Sequence, residues 1–288
     1  MMGDFEYSTK TPEQVLRSTR TALLGFRLLI VVFGMVMVTV FIRSHEHDDS
    51  GSQGVFLCNF SMLVLMFVTV LVSRRWARGR DKAMNEVLER HFNFDWYGRY
   101  LDALIARKGT PRRVRRSTTL YWVGRAKMAY MRGDFDEVFA CLARVDTRNF
   151  KSRRHFMLGL AAYILGYYAA LYAGNQEMAL EYFSALTRYP VKGRKRIQLK
   201  DGLLGGLAER AGMLRGTIPA SLSQSQVELD DGYTPFARMD QAYVAGVAEY
   251  ALGNVAYAEE LMNRIIHLGH ADQRLYLVRQ AELKLQQQ

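Results

Sequence analysis

The chain has 288 residues, a formal net charge of +11 and 49% hydrophobic residues, with five prolines and two cysteines. Two cysteines, Cys58 and Cys141, exclude a disulfide framework and a cysteine metal site. Few prolines suit long helices, and a bulk chain without paired cysteines suits a reducing compartment.

The first predicted elements are two apolar runs, Ala22–Ile42 and Gly54–Ser73. A helix needs roughly 20 apolar residues to cross a bilayer core. Lipid offers no partner for backbone N–H and C=O groups, so each run is expected to be a spanning helix. Arg27 sits at the edge of the first run, where its long stem can reach the headgroups. A signal peptide is the rival for that run, but its apolar core would be shorter and would end at a small-residue cleavage site. The segment that follows, IRSHEHDD, offers none.

Lys10, Arg17, Arg20 and Arg27 precede the first run, and Arg74, Arg75, Arg78, Arg80 and Lys82 follow the second. The connection carries Arg43 against Glu46, Asp48 and Asp49. The excess of cations on the outer flanks predicts both termini on the cytoplasmic side of a cell membrane crossed twice. Short loops and a compact hairpin suit a bacterial inner membrane. Arg74, Arg75, Arg78 and Arg80 are the candidate contacts for anionic lipid, which attracts each cation by about 1 kcal/mol. Later basic patches, Arg107–Arg116, Lys151–Arg154 and Lys192–Arg196, lack a nucleic-acid reading motif, so nucleic acid ranks behind lipid and protein as a partner.

The remaining periodicity is helical. Lys82–His91 continues from the membrane, Asp95 is a candidate cap for the next helix, and Gly109-Thr110-Pro111 ends it. Beyond Pro111 three stretches share one layout: Leu120–Val145, Ala161–Leu186 and Asp240–Ile265. Each is a helix rich in small and aromatic residues, then Gly followed by Asp or Asn, then a second helix. Gly133, Gly174 and Gly253 can adopt the left-handed backbone that ends a helix. Asp134, Asn175 and Asn254 can then accept free N–H groups of the next one. Glu137 stands where a capping box needs it.

In these residues the chain resembles the tetratricopeptide repeat family. Trp122, Ala126, Gly133, Asp134 and Leu142 match in the first stretch; Ala179, Phe183 and Pro190 in the second; Gly246, Gly253, Asn254 and Ala258 in the third. Val138 replaces the usual small residue, and the Gly133 to Gly174 spacing is about forty residues against about 34 in that family. A degenerate pair is inferred at Leu203–Leu222, turning at Gly216, with an exposed loop at Ser221–Pro235. The resemblance implies an α-solenoid of helix pairs, which together with the two expected spanning helices makes an all-α chain with the solenoid on the cytoplasmic side. The domains are then 1–21, the hairpin 22–73, a juxtamembrane linker 74–117 and the repeats 118–288. It also implies a concave protein- or peptide-binding face lined by Val123, Lys127, Tyr130, Ile164, Tyr168, Leu171, Tyr243, Val247 and Tyr250.

No residue set spells catalysis, and neither a cofactor nor a metal is expected. His45-Glu46-His47-Asp48-Asp49 has ligand types but no further cluster to close a metal site. His91, His155, His267 and His270 are scattered. Gly202–Gly206, GLLGG, lacks the Lys-Ser/Thr of a phosphate loop and reads as close helix packing. Two non-enzymatic functions are expected: an adaptor held at the membrane, or an integral subunit or assembly factor of a larger complex such as a transporter or envelope machine.

Overall fold

The computed structural model describes residues 10–46, 52–106, 111–145, 153–215 and 233–287, and every element among them is a helix. The chain divides into two compact units, Met1–Val87 with Asp95–Ala103, and Leu88–Phe94 with Leu104–Gln288.

The first unit holds α1 (Pro12–Glu46), most of α2 (Ser52–Glu89) and most of α3 (Phe94–Ile105). Among the described residues, α1 alone is long and apolar enough to cross a membrane: Pro12–Val40 contains an 18-residue stretch with a mean hydropathy of 2.5, none of it buried. Leu28 is 66% exposed and Met35 64%. On α2, Phe60 and Phe67 are equally bare. Elsewhere the unit has a conventional core. Val15 and Leu16 on α1, Met84 and Val87 on α2, and Trp96, Tyr97, Tyr100 and Leu101 on α3 are buried. The Trp96 indole N–H donates to the Lys10 carbonyl at 3.0 Å, tying α3 to the residues just before α1. Asp95 lies inside the first turn of α3 and does not cap it, because the helix already starts at Phe94. Pro111 opens the next helix, as its fixed φ and missing N–H allow at a first helical position.

The second unit is built from α4 (Pro111–Arg132), α5 (Phe135–Ala143), α6 (Arg153–Tyr172), α7 (Gln176–Arg188), α8 (Arg194–Leu214), α9 (Pro235–Ala251), α10 (Val255–Leu268) and α11 (Tyr276–Gln286). Three tight turns join α4 to α5, α6 to α7 and α9 to α10, and each pair packs together as a hairpin. The turns are alike to the bond. Gly133, Gly174 and Gly253 have φ of 78°, 72° and 81°. The next N–H, on Asp134, Asn175 or Asn254, donates 2.9 Å back to the carbonyl five residues earlier. The glycine N–H itself bonds the carbonyl three residues back. This Schellman closure satisfies carbonyls that the ending helix leaves open. Asp134 then accepts from the Glu137 N–H at 3.2 Å and Asn175 from the Met178 N–H at 3.0 Å.

Two details depart from the sequence reading. Asn254 makes no cap bond; its amide donates to Glu249 Oε2 at 2.7 Å. Glu137 does not reach back to Asp134, whose N–H is already spent on Ala129; it accepts from Arg132 at 2.8 Å. The first half of the expected fourth hairpin falls within α8, which runs unbroken through Arg194–Leu214; its turn at Gly216, its second half and the loop 221–232 lie outside the described residues.

Small residues sit at the helix contacts. Ala126, Ala129, Ala170 and Ala258 are fully buried. At Gly166 a Cβ would overlap the Tyr182 ring, so α6 and α7 approach as closely as they do only without one. The hairpins do not simply queue in a line. The C-terminal α11 packs on α10, on α9 and back on α4 of the first hairpin, and Arg279 donates to the Arg132 carbonyl at 2.7 Å. In an open solenoid each repeat touches only its neighbours; here the first and third hairpins meet.

Candidate functional site

The meeting point is a cluster of rings. Tyr130 of α4, Phe135 of α5, Tyr172 of α6, Phe236 and Tyr243 of α9 and Tyr276 of α11 lie with neighbouring centroids 5.1–6.5 Å apart. Most pairs are edge-on or tilted, the arrangements that ring quadrupoles prefer. At 5.1 Å and 76°, Phe135 against Tyr276 is the closest.

A buried ion pair sits beside the rings. Arg210 of α8 pairs with Asp240 of α9; their side chains are only 11% and 14% exposed. Tyr172 donates to Asp240 Oδ1 at 2.9 Å and Tyr130 to the same oxygen at 3.3 Å. Arg210 Nη2 in turn donates to the Tyr172 hydroxyl at 2.8 Å, and its guanidinium carbon lies 4.3 Å from the Tyr168 ring centre. Burial pushes the Tyr130 and Tyr172 hydroxyls well above the ordinary tyrosine range, with the Asp240 charge adding to it. For Arg210 burial opposes the charge, but Asp240 and the tyrosines outweigh it and its pKa rises. The site therefore holds one cation, one anion and neutral hydroxyls. Arg210 Nε is buried and makes no hydrogen bond among the described residues.

Next to this pair, α6, α8 and α9 enclose a half-open cavity of about 600 Å³. Its walls are mainly apolar: Ile164 and Tyr168 from α6, Leu199, Leu203 and Leu207 from α8, Val244 and Ala245 from α9. Gln198, Gln241 and Arg210 supply the polar groups. The GLLGG segment explains the space. Gly202 and Gly206 are four residues apart, hence on one face of α8, and both line the cavity. A Cβ at either, or at Gly205, would meet nothing within 4 Å. Close packing is therefore not what these glycines do. Each costs the helix about 1 kcal/mol relative to alanine, without a neighbour to require it.

The residues expected along a concave face are dispersed. Val123, Tyr130 and Tyr243 are buried, the last two in the ring cluster. Lys127 is paired with Glu89, which also accepts from the Thr234 hydroxyl at 2.8 Å. Leu171, Val247 and Tyr250 are half-buried. Ile164 and Tyr168 line one cavity, and their companions there come from α8 and α9. Arg74 and Arg75 are exposed on α2; the side chains of Arg78 and Arg80 lie outside the described residues, as do those of Cys58, Asn59 and the His45–Asp49 segment. No group of three or more metal-ligand residues occurs among the described ones. Cys141 is buried, and burial raises its thiol pKa.

No family model, no curated protein and no solved structure matches this chain. The site is thus defined by its own chemistry. Sequence reading missed Arg210 and Asp240. The available signal was a lone arginine on the face of α8 shared by Leu203, Gly206 and Leu207.

Proposed function

We propose that the chain is a membrane-anchored adaptor. Its apolar N-terminal helices hold a tetratricopeptide-like set of helical hairpins at the cytoplasmic face, where the hairpins bind a protein or peptide. The bareness of α1 supports this reading most. Leu24, Leu28, Val31, Met35, Val38 and Ile42 are each about half exposed or more. Apolar surface left in water forgoes about 25 cal/mol per Å², and a bilayer removes that penalty. The second run supports two crossings, because Leu63, Leu65 and Phe67 are bare as well. With the cationic flanks inside, Arg74 and Arg75 fall at the inner leaflet.

The test is crosslinking of the full chain in intact cells followed by mass spectrometry, alongside protease added outside sealed cells. A reproducible protein partner crosslinked through residues after Leu104, with those residues protected from protease, supports the adaptor. Digestion of that region from outside, or crosslinks confined to lipid, refutes it. The same bareness of two helices favours a second reading, an integral subunit of a larger complex. Then the crosslinks concentrate on α1 and α2, and exchange of both helices for an unrelated hairpin abolishes assembly.

A further inference from the structure

We propose that the end of the hairpin unit where α6 starts, α7 ends and α8 starts is a docking surface for an anionic lipid bilayer. The proposal rests on the membrane anchor of the reading above and adds a second lipid contact, made by the hairpins themselves.

Two basic patches that are far apart in sequence meet there. Helix α6 starts at Arg153 and α8 at Arg194. The Arg196 guanidinium carbon lies 5.4 Å from the centre of the Phe156 ring, and that ring lies 5.7 Å from Tyr189, which ends α7. No Asp or Glu occurs between Lys151 and Gln176 or between Tyr182 and Lys200, so these segments carry no acid to offset their cations. Lys192, Arg194 and Lys195 are exposed, and among the described residues their side chains make no ion pair or hydrogen bond. Nor do they serve the helix. Arg194 and Lys195 stand in the first turn of α8, which has no side-chain cap, and cations there oppose the helix dipole. Lys200 differs: its ammonium donates to the Thr187 and Tyr189 carbonyls at 2.8 and 3.3 Å and so closes the end of α7.

Apolar side chains decide which anionic partner fits. Ile197 and Leu199 of α8 are 44% and 43% exposed, and Met157 of α6 is 49% exposed. A bilayer that is anionic at its surface and apolar just beneath meets both needs at once. A nucleic-acid backbone matches the cations but gives Ile197 and Leu199 no apolar medium to enter. An acidic protein would pair with cations held in a fixed geometry, whereas the side chains of Lys192, Arg194 and Lys195 are held by nothing among the described residues. The smeared charge of a lipid surface needs no such geometry.

The experiment uses the full chain in nanodiscs. In a Cys58→Ser background, Gln198→Cys places a nitrobenzoxadiazole label at an exposed position beside Ile197, while Cys141 is buried and stays unlabelled. The control label is at Gln176→Cys, exposed at the opposite end of the α6–α7 hairpin. The discs carry a lipid with a nitroxide high on its acyl chain, in a neutral matrix or with about one-third phosphatidylglycerol. The Gln198 label is expected to be quenched about twofold or more in anionic discs and not in neutral ones, and salt at about 0.5 M should abolish the effect. The Gln176 label should be quenched in neither. Lys192→Gln/Arg194→Gln/Lys195→Gln should remove the quenching while the thermal midpoint stays at or above wild type. Equal quenching in neutral discs, a Gln176 label quenched as strongly, or quenching that survives in the folded triple variant overturns the proposal. So does a Gln198 label that responds to polyglutamate or single-stranded RNA but not to anionic discs. Retention of the chain in neutral discs is measured separately. A retained chain whose Gln198 label ignores anionic lipid refutes this surface alone; a chain released from neutral discs refutes the anchor and the surface with it.

Discussion

Asp240→Asn is the sharpest probe of what holds the hairpins together. The asparagine is nearly isosteric, and its Oδ1 can still accept from Tyr130 and Tyr172. What disappears is the charge opposite Arg210. Both partners are nearly closed to solvent, at 11% and 14% side-chain exposure, so water screens little of the loss. Breaking a buried pair from one side leaves the other charge uncompensated and typically costs 3–5 kcal/mol, so the variant should lose about 4 kcal/mol. For a chain of this size that is a fall of about 6–20 °C in midpoint. Urea unfolding in nanodiscs, followed by near-ultraviolet circular dichroism of the tyrosine cluster, measures it. The diagnostic comparison is with Asp240→Asn/Arg210→Met. Removal of the stranded cation should restore part of the stability, by about 1–3 kcal/mol of coupling. A single-variant loss below about 1 kcal/mol, or a double variant less stable than Asp240→Asn, would show that the pair is not the buried unit described.

The turn glycines separate two effects. Gly174→Ala and Gly253→Ala place a Cβ in open space at positive φ, and each should cost about 1–2 kcal/mol. Gly133→Ala should cost more, because its Cβ would also lie 2.5 Å from the Tyr276 ring; denaturant midpoints of the three variants give the order. Gly205→Ala in α8 meets nothing and should stabilise by about 0.5–1 kcal/mol in the same assay. Alkaline titration tests the ring cluster. Burial raises Tyr130 and Tyr172 well above 10.0, and raises Tyr243 to about 12 with help from Tyr276. A raised folded pKa leaves stability intact below the unfolded value of about 10 and removes it as pH rises toward the folded one. Tyrosinate absorbance from these rings should therefore appear with unfolding and not before it; early titration of a full complement of tyrosines counts against their burial.

Local features of this chain were legible because they are local. A Gly-Asp or Gly-Asn junction fixes a left-handed residue and a helix restart within six residues; all three glycines take that backbone, and Asp134 and Asn175, though not Asn254, cap the helix that follows. Helical periodicity likewise marked the buried small residues, such as Ala126 and Ala258. The placement of the aromatic residues was not legible. Tyr130 and Asp240 are 110 positions apart, and Tyr172 and Asp240 are 68 apart. Periodicity says that Tyr130 lies on an apolar face but not which helix that face meets. The same ambiguity affected GLLGG. Glycines spaced four apart suit both a tight helix contact and a hollow, and only the neighbouring helices distinguish the two.

If the chain is the adaptor proposed above, closure by α11 changes where a partner would bind. A tetratricopeptide-like solenoid offers the inner surface of its first helices, and Tyr130, Tyr172 and Tyr243 would be natural contacts there. In this chain those rings face one another, and Tyr276 from α11 completes their packing. A partner could reach them only by displacing α11, against the Phe135 contact and the Arg279 bond to the first hairpin. On the adaptor reading proposed above, a partner would bind surfaces that α11 leaves open. Tyr168 and Ile164 border one of them, while Leu180 on α7, at 69% exposure, stands on another. Tyr276→Ala separates the cases. Tyr276 is half-buried, so the change should destabilise the ring cluster by less than a fully buried ring would, about 1–3 kcal/mol. If the partner instead uses the inner faces, the same change should strengthen its binding, which crosslinking yield from folded protein at low temperature would register.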